Sequence, residues 1–203
     1  MLREQGTQFE ERPLTRRQER AIQTKARIYN AAIELMDRRG FEAITIADIS
    51  RKAGVSVGAF YHYFKSKNDI LAEIFRKGDE YFRTVVLPGL NRKGCRRQIM
   101  EYFEHYAKFN VLTGVETTKE LFSPKIKFFI RKERPMLIIL RDVIRKGQEK
   151  REIRTDQDAD ELVRFLFLVA RGVVFEWSLH EGRYDLQQAM RKYMEIVVST
   201  LQR

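Results

Sequence analysis

The sequence predicts an all-α chain, with a helix-turn-helix unit near the amino end followed by a larger helical domain. Two observations carry this. Apolar residues recur every three to four positions along nearly the whole chain, the spacing that gives a helix one buried stripe. No run of alternating β-branched residues bounded by turn signals appears, so strands have no support. The breakers also fall between the periodic stretches, at Gly40, Gly54 and the Pro88–Gly89 pair, where helices would stop.

Residues 1–14 read as a flexible basic arm. A first helix is expected from about Thr15 to Arg39, with Ile22, Ala26, Ile28, Tyr29, Ala32, Ile33, Leu35 and Met36 as its buried stripe and Gly40 as a left-handed cap. Two short helices follow at about 45–53 and 56–62, with Thr45 and Ser56 as N-caps. Ser66, with Asp69 three residues later, is a capping-box variant that opens a long helix to about Val86. Beyond residue 90, helices are expected at about 94–112, 114–121, 124–131, 135–150, 156–181 and 185–202. Ser123 would cap the third of these, with Pro124 at its first position. Asp156, Asp158 and Asp160 sit near the positive end of the penultimate helix. The expected divisions are the arm at 1–14, a first domain at 15–67 with its motif at 45–64, and a second domain at 68–203. The long helix at the boundary would be shared between the two.

Composition removes several classes. With 43% hydrophobic residues in 203, there is enough apolar material for a core. Cys95 is the only cysteine, so no disulfide scaffold can form within the chain. The apolar run at 162–175 is broken by Arg164 and Arg171 before it reaches membrane-spanning length. The charged start MLREQGTQFEERPLTRRQER lacks the apolar stretch of a secretory signal, so a cytoplasmic location is expected. The net charge of +11 is concentrated: Arg12 to Lys67 holds twelve Lys and Arg against five acids. Such a block reads as an electrostatic footprint for a polyanion.

The segment from Thr45 to Phe64, TIADISRKAGVSVGAFYHYF, meets each demand of a helix-turn-helix. Ile49, Ala53, Val55 and Phe60 supply an apolar lock, Ser50 is small at the crossing, and Gly54 sits at the turn. The second helix would present Ser56, Val57, Gly58, Ala59 and Tyr61 to a major groove. Tyr61, His62, Tyr63, Lys65 and Lys67 would meet phosphates. Most outward residues are small and uncharged, so direct base readout is expected to be sparse and binding steeply salt-dependent.

The stretch from about Lys25 to Leu71 resembles the TetR family of transcriptional regulators. The likeness rests on AAIELMDRRGFEAITIADIS, then AGVS, then YHYF followed by KSK and an apolar helix. It implies that Thr45, Ser56, Val57, Gly58, Tyr61, Tyr63 and Lys67 meet DNA. Ala47 stands where some relatives place a base-reading side chain. The resemblance further implies a non-enzymatic homodimer that is usually a repressor and is released from a palindromic operator by a small molecule held in the C-terminal domain.

Other chemistries fare less well. Residues 54–58, GVSVG, match a nucleophile elbow, but that motif works as a strand-to-helix turn and no strand is expected here. Glu101 with His105, and Glu176 with His180, have the spacing of one helix face, yet a tight metal site needs three or four ligands. No metal or cofactor is expected. Cys95 beside Arg96 and Arg97 would be a redox sensor if those cations lowered its pKa. No GxxxxGK[ST], GxGxxG or CxxC occurs.

The helix at 162–177 is apolar on nearly every face and must be buried on nearly every face. With the last helix, which carries Leu186, Met190, Tyr193, Met194, Ile196 and Val197, it is expected to pair with its copy in a symmetric four-helix dimer interface. Aromatic density suggests an apolar pocket. Tyr106, Phe109, Asn110, Phe167, Arg171 and Phe175 are the candidate lining, with Arg171 as anchor and Asn110 or Glu116 as weaker ones. The bland alternatives are plain core for the aromatics and a local pair with Glu176 for Arg171. The leading expectation is a ligand-responsive, DNA-binding transcriptional regulator, and the alternative is a basic architectural or RNA-associated protein without an effector.

Overall fold

Helix α1 (Arg16–Arg39) opens on a reciprocal capping box between Thr15 and Gln18, and ends at Gly40, whose φ of 76° but ψ of 158° is an extended glycine conformation rather than the left-handed helical cap expected. The computed structural model describes residues 15–90, 94–122, 126, 129, 131 and 133–202. The arm at 1–14 and most of the helix expected at 124–131 lie outside the described residues. Short helices α2 (Ile46–Ala53) and α3 (Val57–Tyr63) follow, then α4 (Asn68–Tyr81). Next come a π-helical turn at Phe82–Val86 and the single turn α5 (Leu87–Leu90). The rest is α6 (Cys95–Thr113), α7 (Val115–Leu121), α8 (Pro135–Glu149), α9 (Ala159–Leu179) and α10 (Leu186–Ser199). The only β pairing among the described residues is one isolated bridge, Ile153 to Gln202.

Two apolar cores divide the chain. The first gathers Ile28, Ala32 and Met36 of α1, Ile49 of α2, Phe60 of α3 and Ile70, Leu71 and Ile74 of α4, with Leu121 of α7 added from afar. The second begins at Phe82 and Val86 and takes in the inner faces of α6, α8, α9 and α10. Tyr102 is fully enclosed there, stacked 4.6 Å from Phe82, and donates its hydroxyl hydrogen to the Met136 carbonyl at 2.7 Å. Helix α4 therefore lends its first half to one core, and the π-helical turn beyond it opens the other.

Three local expectations are corrected. Ile22 is 56% exposed instead of buried, because α1 meets its partners only from its middle onward. The long helix starts at Asn68 rather than Ser66: the Asp69 carboxylate accepts from the Lys65 amide at 2.8 Å and the Ser66 hydroxyl at 3.3 Å, so it holds the preceding turn outside the helix. It also passes Pro88 instead of stopping before it. Proline cannot donate to the carbonyl four residues back and crowds it, and the π-helical turn lies immediately upstream, where the regular ladder must loosen.

Candidate functional site

The outward face of α3 is built from short-range rules. Gly54 adopts φ 64° and ψ 41°, and its amide returns to the end of α2. A side chain there would meet nothing nearer than Arg27 Nη1 at 3.9 Å, so the left-handed backbone, not crowding, asks for glycine. Thr45 and Asp48 form a reciprocal capping box on α2, and Ser56 Oγ accepts from the Ala59 amide at 3.1 Å to cap α3. Phe60 has no exposed surface and pins α3 inward, leaving Val57 43% and Tyr61 52% exposed. Ser56, Gly58 and His62 are exposed beside them, and Tyr63 is half-buried with its ring edge-on to His62 at 5.0 Å. Thr45 and Ala47 are exposed at the start of α2.

Lys67 is placed differently. Its Nζ donates to the carbonyls of Phe41 at 2.6 Å and Ile44 at 3.0 Å, and lies 4.4 Å from the Phe41 ring centre. Two of its three donors thus fasten the α1–α2 loop to the start of α4. Exposed cations nearby include Lys65, together with Arg16, Arg17 and Arg20 on the first turns of α1. Lys52 pairs with Glu34 at 2.8 Å, and Arg51 is tied to Asp48.

The second candidate lies where the two cores meet. A cavity of about 30 Å³ sits between α4, α6, α8 and α9. Five of the six expected ligand residues line it: Tyr106, Phe109, Asn110, Phe167 and Arg171. Phe175 does not; it is 45% exposed and stacks on Phe122 at 5.7 Å, because it lies on the outer flank of α9. Glu116, the weaker anchor, instead accepts from Lys119 at 2.7 Å. Sequence reasoning missed Arg134 and Gly78, which line the cavity together with Phe129. Nothing in the local sequence marks them, since their roles depend on distant segments brought together, as in the Arg134–Asp79 bond across 55 positions.

The two arginines on this cavity differ. Arg134 is clasped by Asp79, which accepts from its Nε at 3.2 Å and its Nη2 at 3.1 Å and also from the Met136 amide. Arg171 meets the Phe129 carbonyl, through Nη2 at 3.2 Å, and the Tyr106 hydroxyl, and rests against the Phe129 and Phe167 rings at 4.8 and 5.3 Å. It does not pair with Glu176, which meets His180 at 3.1 Å. Burial holds the Arg171 guanidinium below its ordinary pKa and pushes the Tyr106 hydroxyl up.

The rival chemistries lose their geometry. Ser56 caps a helix in a helix-turn-helix, with no strand before it. His105 Nδ1 is 2.6 Å from the Tyr81 hydroxyl, and among the described residues no three His, Cys, Asp or Glu converge on a metal position. Cys95 is buried, and desolvation, aided by the Glu152 charge, raises its thiol to about 12, the opposite of an activated thiolate. Arg96, expected to lower it, pairs instead with Glu195. Among the described residues no helix is long and apolar enough to cross a membrane.

Residues 28–74 match the family described as bacterial regulatory proteins, tetR family. The chain is 25% identical over 182 residues to the fatty acid metabolism regulator protein of Bacillus subtilis, covering 85% of this chain and 92% of that one. It is equally similar, over 182 residues, 86% of this chain and 90% of the other, to the transcriptional repressor KstR2 of Mycobacterium tuberculosis. Among solved structures, Bacillus subtilis FadR in complex with stearoyl-CoA superposes with a TM-score of 0.75 at 23% identity, covering 87% of this chain and 98% of that one. The turn geometry at Gly54, the exposed α3 face and these likenesses agree: residues 28–74 are a DNA-binding region of the tetR family of bacterial regulatory proteins, and the relatives matched along most of the chain are transcriptional regulators rather than enzymes.

Proposed function

We propose that this regulator acts in the cytoplasm as a homodimeric repressor that holds a palindromic operator through two copies of α3 and is released by a small molecule in the α4–α9 cavity. The observation that carries the DNA reading is the α3 face, where Phe60 is wholly buried while Val57 and Tyr61 stand out to solvent. Val57 and Gly58 would approach base edges, and Ser56, Thr45, Tyr61 and Tyr63 would meet phosphates, positioning more than specifying. Lys67 would act mainly by holding the α1–α2 loop, with its third donor left for DNA. The corresponding division is a DNA-binding domain at 15–67, preceded by an arm at 1–14, and a ligand-binding and dimerisation domain at 68–203.

The dimer reading is supported by an apolar stripe that α9 turns away from its own core. Phe165, Leu168, Phe175 and Leu179 are exposed along it, next to Tyr193 and Ile196 of α10. A contiguous exposed apolar face on two adjacent helices suits a closed two-fold interface. The cavity reading is supported by Tyr106, Phe109, Asn110, Phe167 and Arg171 converging on one enclosed space, with Phe175 assigned to the dimer face instead.

The test is fluorescence anisotropy against a duplex selected from a random pool, titrated with salt. Binding should retain a specificity ratio of at least about 10³ over random DNA. Tyr61→Ala should weaken it roughly 10-fold, about one charge-assisted hydrogen bond to phosphate, with the circular dichroism spectrum unchanged. Salt-sensitive binding without sequence preference would instead favour an architectural protein. Leu168→Glu should halve the solution mass at micromolar concentration, and a monomeric wild type would refute the dimer.

A further inference from the structure

Buried charges are normally paired, because an isolated ion in an apolar surrounding costs far more than a compensated one. The cavity between α4 and α9 holds two arginines under this rule, and only one obeys it. Arg134 is satisfied by both carboxylate oxygens of Asp79. Arg171 sits among aromatic rings with only neutral partners, the Phe129 carbonyl and the Tyr106 hydroxyl, and its Nε is buried with no hydrogen-bond partner. Among the described residues no carboxylate forms an ion pair with it. A permanent cation with an orphaned donor and no carboxylate beside it, opening onto a space lined mostly by apolar side chains, is a seat for one negative charge.

Resting on the effector reading above, we propose that the effector is a monoanionic amphiphile, a carboxylate on a compact apolar body, with the carboxylate bound to Arg171. The Phe129 carbonyl is the present stand-in for one carboxylate oxygen, and the second oxygen would take the Nε–H. The body would lie against Ile74, Phe82 and Phe109. Because Asp79 already neutralises Arg134, a second negative charge on the ligand would find no counter-ion here, which excludes dianions. At about 30 Å³ the cavity holds one water rather than a ligand, so seating requires the Phe129 and Phe109 rings to swing aside. The rival occupant is that single water, accepting from Nε.

Calorimetric titration of the full chain with octanoate and 4-phenylbutyrate, each beside its alcohol (octan-1-ol and 4-phenylbutan-1-ol), separates these. The proposal expects each acid to bind about 10- to 100-fold more tightly than its alcohol, the range of a charge-assisted bond. Arg171→Lys should keep the preference and Arg171→Met should erase it. The apolar variant should also melt no lower than wild type in the absence of ligand, since it removes an unpaired charge and strands only those two neutral partners. Equal binding of acid and alcohol, no binding of either acid, or a preference that survives in Arg171→Met overturns the assignment. The wild-type comparison alone decides it if the variants do not fold. Operator binding measured on the same samples keeps the two readings apart. Intact DNA binding without acid preference sinks only this inference, and lost DNA binding with the preference intact sinks only the wider one.

Discussion

Replacing Asp79 by asparagine should cost this protein far more than removing any exposed carboxylate. The Arg134 and Asp79 side chains are only 10% and 17% exposed, and their two hydrogen bonds join the end of α4 to the start of α8 across 55 positions of sequence. Removing one partner of such a buried pair strands the other charge, at about 3–5 kcal/mol. The amide retains one acceptor, so the lower figure applies. In a chain of this size each kcal/mol lowers the melting temperature by about 2–4 °C, so a fall of roughly 6–12 °C is expected. Arg171 adds to the effect, since it already feels the Arg134 charge and would then face it unscreened. Melting followed by circular dichroism at fixed protein concentration measures it. Glu116→Gln on the exposed pair with Lys119 is the control, with an expected loss below about 1 kcal/mol. Adding Arg134→Met to Asp79→Asn should recover most of the loss by removing the stranded cation. A melting temperature within about 2 °C of wild type for Asp79→Asn, or no recovery in the double variant, would falsify the pairing argument.

Two further outcomes follow from packing. The Cys95 thiol, raised to about 12 by burial, should resist a disulfide reagent at pH 8 in the folded protein and react within seconds once unfolded. The native state keeps a proton that the unfolded state loses near the ordinary thiol value, so this group should lower stability as pH climbs from there toward 12. Gly147→Ala would set a methyl group 2.5 Å from Cys95 Sγ and 2.8 Å from Ile153 Cγ1. An overpacking cost of about 1–3 kcal/mol should appear in denaturant titrations, and an unchanged midpoint would mean that α8 shifts freely.

What the sequence could reveal was what neighbours in the chain decide. Thr45, Gly54 and Ser56 announce the caps and turn of α2 and α3 because each acts on backbone groups within three or four residues, and the exposed side of α3 follows from them. Periodicity finds a stripe but not its partner, which is why Ile22 looked buried and Phe175 looked inward. In α9 the stripe of Phe165, Leu168, Phe175 and Leu179 and the stripe of Phe167, Ala170 and Val174 are both apolar, and only the placement of α6 and α8 decides which is inside. Lys67 shows the same limit from the polar side. Its basic charge suggested phosphate, and the Phe41 and Ile44 carbonyls, 26 and 23 positions away, claim two of its hydrogens.

Those same bonds bear on how a filled cavity could reach α3. Helix α4 is fastened at its start by Lys67 to the loop that ends at Thr45, and at its end by Asp79 to Arg134 on the cavity wall. At Gly78 it leaves no slack: even a Cβ would lie 3.2 Å from the Phe109 ring. A ligand many times larger than a 30 Å³ void must therefore move that ring, the helix or both. The α4 backbone is regular up to Tyr81 and yields only at the π-helical turn beyond it, so a push near Gly78 displaces the segment joined to the first core rather than bending it midway. Such a push changes DNA affinity only to the extent that the ligand prefers the displaced α4, each tenfold preference being worth about 1.4 kcal/mol of operator binding. Lys67→Met cuts the fastening without touching cavity or α3. The expected result is a variant that binds ligand as before and operator with no more than the loss of one phosphate contact, but in which neither affects the other, and full reciprocal coupling in that variant would mean that the signal travels by another helix, α7 being the one that packs on both α1 and α9.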